Sequence, residues 1–176
     1  YSDTTAWYEY VSDFTYIKHY IETTPPEDTT DVRCASVCVA DIDGDGDYDV
    51  VRARRDYGGD CDEGLAWFEN MGDNLTWTRH YIDSSEFSYP FPHLGLACGD
   101  IDADGDSDIV AAAVSGVHEL NYIIVAKNDG SGRFTIDTLE HGLYLLGRSY
   151  WRLRLVDLNR DGDLDLCVDG EQVGGD

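Results

Sequence analysis

A nine-residue acidic segment occurs three times in this chain, at residues 41–49, 100–108 and 157–165. The copies share the pattern D-x-[DN]-x-D-G-D-x-D. Oxygen ligands at alternate positions suit a hard cation such as Ca²⁺, and the glycine at position six permits the φ > 0 turn that folds the ligands inwards. Carboxylates this dense repel one another unless a divalent ion neutralises them. The three loops therefore predict three Ca²⁺ sites.

The predicted ligand residues stand at the odd positions of each loop, and the one at position seven is expected to contribute its backbone carbonyl. They are Asp41, Asp43, Asp45, Asp47, Asp49, Asp100, Asp102, Asp104, Asp106, Asp108, Asp157, Asn159, Asp161, Asp163 and Asp165. An EF-hand would add a bidentate Glu at position 12. Here that position holds Arg52, Ala111 and Val168, so the EF-hand is excluded. A single loop of this kind can be a solvated Asp-Gly turn, but three in register favour ion binding.

Short apolar runs rich in β-branched residues flank the loops, as at residues 37–40 and 50–51 around the first. Such runs are typical of buried strands rather than of helices. Each loop is therefore predicted to connect two strands of one sheet.

A second repeated element follows, an aromatic hairpin. Residues 6–10 and 18–22 match residues 66–70 and 79–83, and a weaker copy begins at residue 124. A full repeat is thus four strands. The loops start at Asp41, Asp100 and Asp157, so the repeats are spaced 59 and then 57 residues apart. A period of this length predicts a propeller or solenoid, and four antiparallel strands per unit favour propeller blades.

The chain starts and ends within a repeat. We predict one all-β domain over residues 1–176, with a half-blade at 5–22, blades at 34–83 and 93–140, and a half-blade at 151–169. Three blade equivalents are fewer than the ~4–8 blades of known propellers. The chain is then part of a longer propeller, or copies form a ring, or the first hairpin of one copy completes the last half-blade of the next. A contact of the last kind that does not close builds a filament.

The repeats resemble the FG-GAP/VCBS family of calcium-binding propeller blades. The resemblance is carried by the three acidic loops, their preceding strands, and residues 67–70 and 128–134. The literal Phe-Gly and Gly-Ala-Pro signatures are absent, which favours the VCBS branch over the integrin α-chain branch. The resemblance implies a β-propeller with Ca²⁺ in the loop between the first two strands of each blade, and it implies no single function.

Charge and hydropathy limit the partners. The formal net charge is −24, and three bound Ca²⁺ ions would reduce it to −18. This charge opposes binding to nucleic acid or to anionic membrane surfaces. No apolar run is long enough to predict a membrane span. The first residue is Tyr1, which suggests a processed protein or an excised part of one.

The five cysteines include no C-x-x-C pair, so a zinc site is not predicted. Cys34 starts the strand before the first loop, and Cys61 follows the next strand. An antiparallel pair would bring these ends together, which predicts a Cys34–Cys61 disulfide. Cys98 lies in an apolar strand pattern and is interpreted as a buried thiol. The odd number leaves at least one cysteine free or paired between chains.

Calcium loops and a disulfide together predict an extracellular, secreted or cell-surface protein. Asn74 opens an Asn-Leu-Thr sequon between two predicted strands, which makes it a candidate glycosylation site. The linker at residues 23–32 is a possible acceptor of O-glycans.

No spacing of catalytic residues is evident, and the protein is predicted not to be an enzyme. His19 and His80 occupy equivalent repeat positions, which favours a structural role. These features leave two alternative functions. The first is a calcium-stabilised structural or adhesive module that self-assembles, as in a fibril, or docks with extracellular partners. The alternative is a lectin-like propeller that binds glycans.

Overall fold

The computed structural model describes residues 4–23, 33–55, 65–82, 93–114, 120–144 and 152–169, and their regular elements are all β-strands. The strands are β1 (Thr4–Ser12), β2 (Thr15–Thr23), β3 (Arg33–Ala40), β4 (Asp49–Arg55), β5 (Leu65–Asn70), β6 (Trp77–Tyr81), β7 (His93–Gly99), β8 (Asp108–Val114), β9 (Leu120–Asn128), β10 (Phe134–Tyr144), β11 (Arg152–Val156) and β12 (Asp165–Asp169). The all-β prediction is confirmed.

The strands form two complete units and two half-units, all antiparallel. Sheet I has the order β3-β4-β5-β6, and sheet II has the corresponding order, β7-β8-β9-β10. The N-terminal hairpin contains β1 and β2, and the C-terminal hairpin contains β11 and β12. Four-stranded antiparallel sheets of this kind are consistent with propeller-type blades. The described residues do not form a closed ring.

The units stack face to face in chain order. The first strands of successive units are neighbours, since β3 contacts β7 and β7 contacts β11, as the inner strands of propeller blades do. Because side chains alternate along a strand, each sheet presents one face to the preceding unit and one to the following unit. This alternation decides which residues meet between sheets.

The core consists of two layers between the units. The layer between sheets I and II contains Ile42, Val51, Trp67, Ile109 and Ile124, with further small apolar residues. Trp67 is 4 % exposed, and its ring lies so close to Gly132 that a Cβ there would approach within 2.6 Å. The second layer packs sheet II against Leu153 and Leu155 of the C-terminal hairpin.

A disulfide joins sheets I and II, between Cys38 of β3 and Cys98 of β7. The interpretation of Cys98 as a buried thiol is therefore wrong. Cys38 pairs with Val51, two residues after Asp49, whereas Cys98 pairs with Ile109, one residue after Asp108. This difference of one residue puts the two sulfurs on facing sides of their sheets. Cys167 is free, while the predicted Cys34–Cys61 pair lies outside the described residues, because Cys61 and the side chain of Cys34 are not described.

Replacing both Cys38 and Cys98 by serine is expected to lower the free energy of unfolding by about 2–4 kcal/mol. The bridge spans 60 residues of sequence, and its loss frees a long loop in the unfolded chain. Urea unfolding followed by tryptophan fluorescence measures the change. The Cys167→Ser variant is the control, and an equal loss in that variant would contradict the role given to the bridge.

The N-terminal hairpin is held against sheet I by polar contacts. Arg52 of β4 is buried, and its guanidinium forms an ion pair with Glu22 and donates to Thr5 Oγ1 at 3.1 Å. Arg79 of β6 contacts the other oxygen of Glu22 at 2.7 Å. Trp7 Nε1 donates to the carbonyl oxygen of Asn74 at 3.1 Å. The hairpin thus occupies the place of the preceding blade's outer strands.

Candidate calcium sites

The first aspartate of each loop organises the turn. Asp41 Oδ1 accepts from Gly44 N–H at 2.9 Å, and its Oδ2 accepts from Gly46 N–H at 3.0 Å. Gly46 has a φ of +94°, which an L side chain rarely adopts. Asp100 and Asp157 repeat the contact with the glycine at position six, at 3.1 Å in both loops.

The aspartate at position nine connects three parts of sheet I. Asp49 is 1 % exposed. Its Oδ2 accepts from Ile42 N–H at 3.0 Å, at the start of the loop, and its Oδ1 accepts from Asn70 N–H at 2.8 Å, at the end of β5. Asp49 therefore ties the loop and the second strand to the third strand of the same sheet.

Sheet II repeats this arrangement. Asp108 is fully buried, and it accepts from Ile101 N–H at 2.9 Å and from Asn128 N–H at 2.8 Å. The equivalence holds although the two loops share little sequence outside their acidic pattern. The connection is therefore a property of the repeat.

In the third loop, the aspartate at position nine makes the first of these two contacts, the one within the loop. Asp165 Oδ2 accepts from Leu158 N–H at 2.9 Å, as its counterparts do. No described residue supplies a third strand beside β12, and no backbone N–H of such a strand reaches Asp165 Oδ1 within the described part of the chain. Asp165 is half-buried, unlike Asp49 and Asp108.

Two groups of carboxylates are placed to hold a metal ion. Within each group, one oxygen from every residue lies within 4.8 Å of the others. The groups are Asp41, Asp43 and Asp49 in the first loop, and Asp100, Asp102 and Asp108 in the second. Hard oxygen ligands at this spacing fit Ca²⁺. The third loop carries Asn159 where the others carry Asp43 and Asp102, so it offers one carboxylate fewer.

Positions five and seven of the loops lie outside these groups. Asp45 Oδ1 accepts from Asp47 N–H at 2.8 Å, and Asp104 Oδ1 accepts from Asp106 N–H at 3.0 Å. Asp106 instead lies against the β9–β10 turn, where a Cβ on Gly130 would come within 2.6 Å of its carboxylate. In the third loop Asp161 accepts from Asp163 N–H at 3.0 Å.

The electrostatics of the first site favour a bound cation. Burial raises the pKa of Asp49 to about 6, and the negative charges of Asp43 and Asp45 add to this, while the hydrogen bonds from Asn70 and Ile42 oppose it. Burial is also the main cause that raises the pKa of Asp43. Burial first, and the neighbouring negative charges second, therefore disfavour the ionised forms of Asp43 and Asp49. A divalent ion would remove that cost, so the donor set fits Ca²⁺.

Sequence reasoning missed two asparagines that support the sites. Each asparagine also holds the hairpin turn that follows it. Asn70 Oδ1 accepts from Asn74 N–H at 3.0 Å, and Asn128 Oδ1 accepts from Gly132 N–H at 3.1 Å. Asn128 Nδ2 also donates to the carbonyl oxygen of Ile42 at 2.6 Å, which links sheet II to the first loop. The sequence did contain a signal for this role, because an asparagine occupies the last position of the third strand in both repeats.

The repeated histidines have matching contacts. His19 stacks on Trp7 and His80 on Trp67, with ring centroids 4.4 Å apart in both pairs. Their Nε2 atoms lie 2.9 Å from Glu9 and 2.7 Å from Glu69. This repetition favours a structural role.

Asn74 lies in the β5–β6 turn with a φ of +58°, and it is exposed. Its side-chain Oδ1 accepts from Asn70 Nδ2 at 2.9 Å. Glycosylation of Asn74 stays a prediction.

Antiparallel four-stranded sheets with an acidic loop between their first two strands are consistent with propeller-type blades. Residues 100–168 match the family model of the FG-GAP-like repeat. The matched segment runs from the second acidic loop to the third and includes most of sheet II. No curated protein matches the chain significantly.

Proposed function

We propose that this chain is a calcium-stabilised structural module of the VCBS type, which docks with other subunits in an extracellular assembly. The observation that carries the proposal is the shared role of Asp49 and Asp108. Each belongs to one of the two groups of three carboxylates, here called triads, and each also accepts a hydrogen bond from the third strand of its sheet. An ion bound there would stabilise the junction between loop, second strand and third strand.

The position of the triads supports a structural role over a catalytic one. Most of their described contacts are to backbone N–H groups of the same loop or sheet. Carboxylates committed in this way are poor candidates for general acid–base chemistry. The FG-GAP-like repeat is also typically a structural, non-enzymatic module.

An extracellular location is supported by the Cys38–Cys98 disulfide and by the repeat match. The described residues include no helix able to cross a membrane. A calcium-rich exterior would also keep the proposed sites filled.

The experiment is calcium titration by isothermal calorimetry, with thermal unfolding before and after chelation. We expect up to three bound ions, and at a free calcium concentration of 100 Kd each site contributes about 2.7 kcal/mol of stability. EDTA should therefore lower the melting temperature markedly. Asp41→Ala should remove one ion, whereas Asp137→Asn, which removes an exposed charge on β10, should remove none. An unchanged melting temperature after EDTA would contradict the proposal.

Glycan binding is the second candidate, supported by exposed tyrosines on the N-terminal hairpin. Tyr8, Tyr10, Tyr16 and Tyr20 are each more than half exposed. Aromatic faces of this kind can stack on sugars. Binding to a glycan array by a monomeric chain, lost in Tyr8→Ala and Tyr20→Ala, would favour this function over assembly.

A further inference from the structure

The first two calcium loops have neighbours of opposite charge. In sheets I and II the third strand ends on an asparagine that contacts the loop, Asn70 in sheet I and Asn128 in sheet II. The residue before this asparagine is Glu69 in β5 and Lys127 in β9. Equivalent positions of the two sheets therefore carry a negative charge beside the first loop and a positive charge beside the second.

Glu69 and Lys127 lie on the same side of their sheets. Side chains two residues apart on a strand share a face, so Glu69 lies on the face of Trp67, and Lys127 lies on the face of Val125. Trp67 packs in the layer between sheets I and II, and Val125 packs in the layer between sheet II and the C-terminal hairpin. Both faces are the ones turned towards the following unit, so the two side chains occupy equivalent places.

Lys127 interacts directly with the second calcium site. Its Nζ lies 3.5 Å from Asp102 Oδ2, and Asp102 is a member of the second triad. The cross-strand partner of Lys127 is Thr135, which carries no charge. The ammonium group of Lys127 therefore neutralises one ligand of the site, and it repels a cation whichever oxygen of Asp102 binds that cation.

Glu69 adds a negative charge to the first site. Burial is the main cause that raises the pKa of Asp43, and the negative charges of Asp45 and Glu69 add to the rise. The carboxylate of Glu69 is held in this place by His80, whose Nε2 lies 2.7 Å from Glu69 Oε2. A nearby negative charge that disfavours the ionised form of Asp43 favours a bound cation. Glu69 is thus an additional carboxylate at the edge of the first site, outside the loop itself.

The turns that follow these two residues increase the difference in charge. Residues 69–76 of sheet I contain two acidic residues and no basic residue, which gives a formal charge of −2. Residues 127–133 of sheet II contain two basic residues and one acidic residue, which gives a formal charge of +1. The negative charge of Asp129 acts on Asp106 of the second loop, but the positive charge of Arg133 acts on Asp129 in turn. The segment beside the second loop therefore stays net positive.

We propose that the residue before the third-strand asparagine sets the calcium affinity of its loop, so that the first site, beside Glu69, binds Ca²⁺ more tightly than the second site, beside Lys127. The two triads are equivalent, and so are the hydrogen bonds of Asp49 and Asp108, so these features do not distinguish the sites. The charges at the edge of each site do. This inference rests on the proposed calcium-binding function and ranks two of its sites.

The expected difference in affinity is large because the ion is divalent. At low salt, a unit charge at the edge of a calcium site changes the affinity by roughly tenfold, and screening reduces the effect in physiological salt. Glu69 and Lys127 differ by two unit charges. The first site should therefore bind Ca²⁺ at least about tenfold more tightly than the second. As the calcium concentration falls, sheet II then releases its ion before sheet I does.

The test follows each loop separately through its glycine at position six. Gly46 N–H donates to Asp41 and Gly105 N–H donates to Asp100, so each amide signal should change when its own loop binds an ion. Protein with isotopically labelled glycine is taken from calcium-loaded to calcium-free in buffers of graded free calcium, at low salt. The pH is about 8, where an imidazole such as that of His80 is mostly neutral. Two-dimensional NMR then gives one calcium midpoint for each loop.

In the wild-type chain, the midpoint of Gly105 should lie at a calcium concentration at least about tenfold higher than that of Gly46. Lys127→Gln should lower the Gly105 midpoint by roughly tenfold at low salt, and by less at high salt, and should leave the Gly46 midpoint unchanged. Lys127→Arg keeps the charge and should keep the wild-type midpoint. Lys18→Gln, which removes a positive charge from an exposed position on β2, is the control for net charge.

Glu69→Gln should raise the Gly46 midpoint by a similar factor and leave the Gly105 midpoint unchanged. Glu9→Gln is its matched control, because Glu9 occupies the equivalent position of β1 and contacts His19 as Glu69 contacts His80. That variant changes the same kind of contact in a hairpin that supplies no ligand to either triad, so it should move neither midpoint. Thermal unfolding of the calcium-free Lys127→Gln variant should match that of the wild type, because exposed ion pairs contribute little to stability.

The inference is overturned if the two wild-type midpoints coincide or occur in the reverse order. It is also overturned if Lys127→Gln leaves the Gly105 midpoint unchanged, or if Lys127→Arg moves it as far as Lys127→Gln does. Coincident midpoints would leave the proposed calcium function intact, because both loops would still respond to calcium. If neither glycine signal responds to calcium, the calcium function itself is rejected, and the ranking with it. The two failures are therefore distinguishable.

Discussion

Asp108→Ala is expected to lower the free energy of unfolding by about 3 kcal/mol or more, even without calcium. The variant leaves the partly buried N–H group of Ile101 and the buried N–H group of Asn128 without their acceptor, and each unsatisfied buried group costs about 1–3 kcal/mol. In calcium the loss should be larger, because one ligand triad is broken. For a chain of this size, 3 kcal/mol corresponds to a fall of roughly 6–12 °C in Tm.

Two variants separate the contributions to this effect. Asp108→Asn removes the charge and keeps one of the two acceptor oxygens, so one of the two N–H groups loses its acceptor. Without calcium its loss should therefore be smaller than that of Asp108→Ala, and with calcium it should be large. Asp165→Ala removes the same loop position from the C-terminal hairpin, beside which the described residues place no third strand, and it should cost less than Asp108→Ala. Equal losses for Asp108→Ala and Asp165→Ala would show that the contact to the third strand contributes little. Thermal and urea unfolding with and without EDTA supply the measurements.

Glu22→Ala should destabilise the N-terminal hairpin strongly. The change leaves the guanidinium of Arg52 buried without its counter-ion, and breaking a buried pair in this way costs about 3–5 kcal/mol. Among the described residues, Arg52 Nε and Nη2 already have no hydrogen-bond partner. Hydrogen exchange should show β1 and β2 opening ahead of sheets I and II.

The control for Glu22→Ala is Glu9→Ala, which removes an exposed carboxylate of the same hairpin beside His19. Exposed pairs contribute about 0–1 kcal/mol, so this change should be small. Adding Arg52→Met to Glu22→Ala should recover most of the loss, because an apolar side chain replaces the unpaired charge. If the double variant is as unstable as Glu22→Ala, the lost contacts of Glu22 itself, rather than the unpaired arginine, determine the stability.

Local patterns in the sequence were sufficient to predict the strands and the loops. Each acidic segment contains the residues that form its own turn. In the first loop, the Asp41 carboxylate accepts from the N–H of the glycine at position six, five residues later. The aromatic hairpins were found from their repeated residues and from the alternation of side chains. The prediction that each acidic loop joins two strands of one sheet is confirmed by the pairs β3-β4, β7-β8 and β11-β12.

The cysteines show why other features were not predicted. Cys98 was interpreted as a thiol because its strand is apolar, yet the partner that determines its chemistry lies 60 residues earlier, on another sheet. Their meeting depends on a one-residue difference in register between β3 and β7. Arg52 and Glu22 meet for a similar reason, across the face between two units.

The sequence by itself determined that this is an all-β chain with repeated acidic loops, because turns, the carboxylates that accept from the loop backbone, and side-chain alternation act over short distances. Only the tertiary structure decided which oxygens form a group of three and that Cys38 pairs with Cys98. Those outcomes depend on how one sheet is positioned on the next, and the packing between sheets, rather than any local pattern, sets that position.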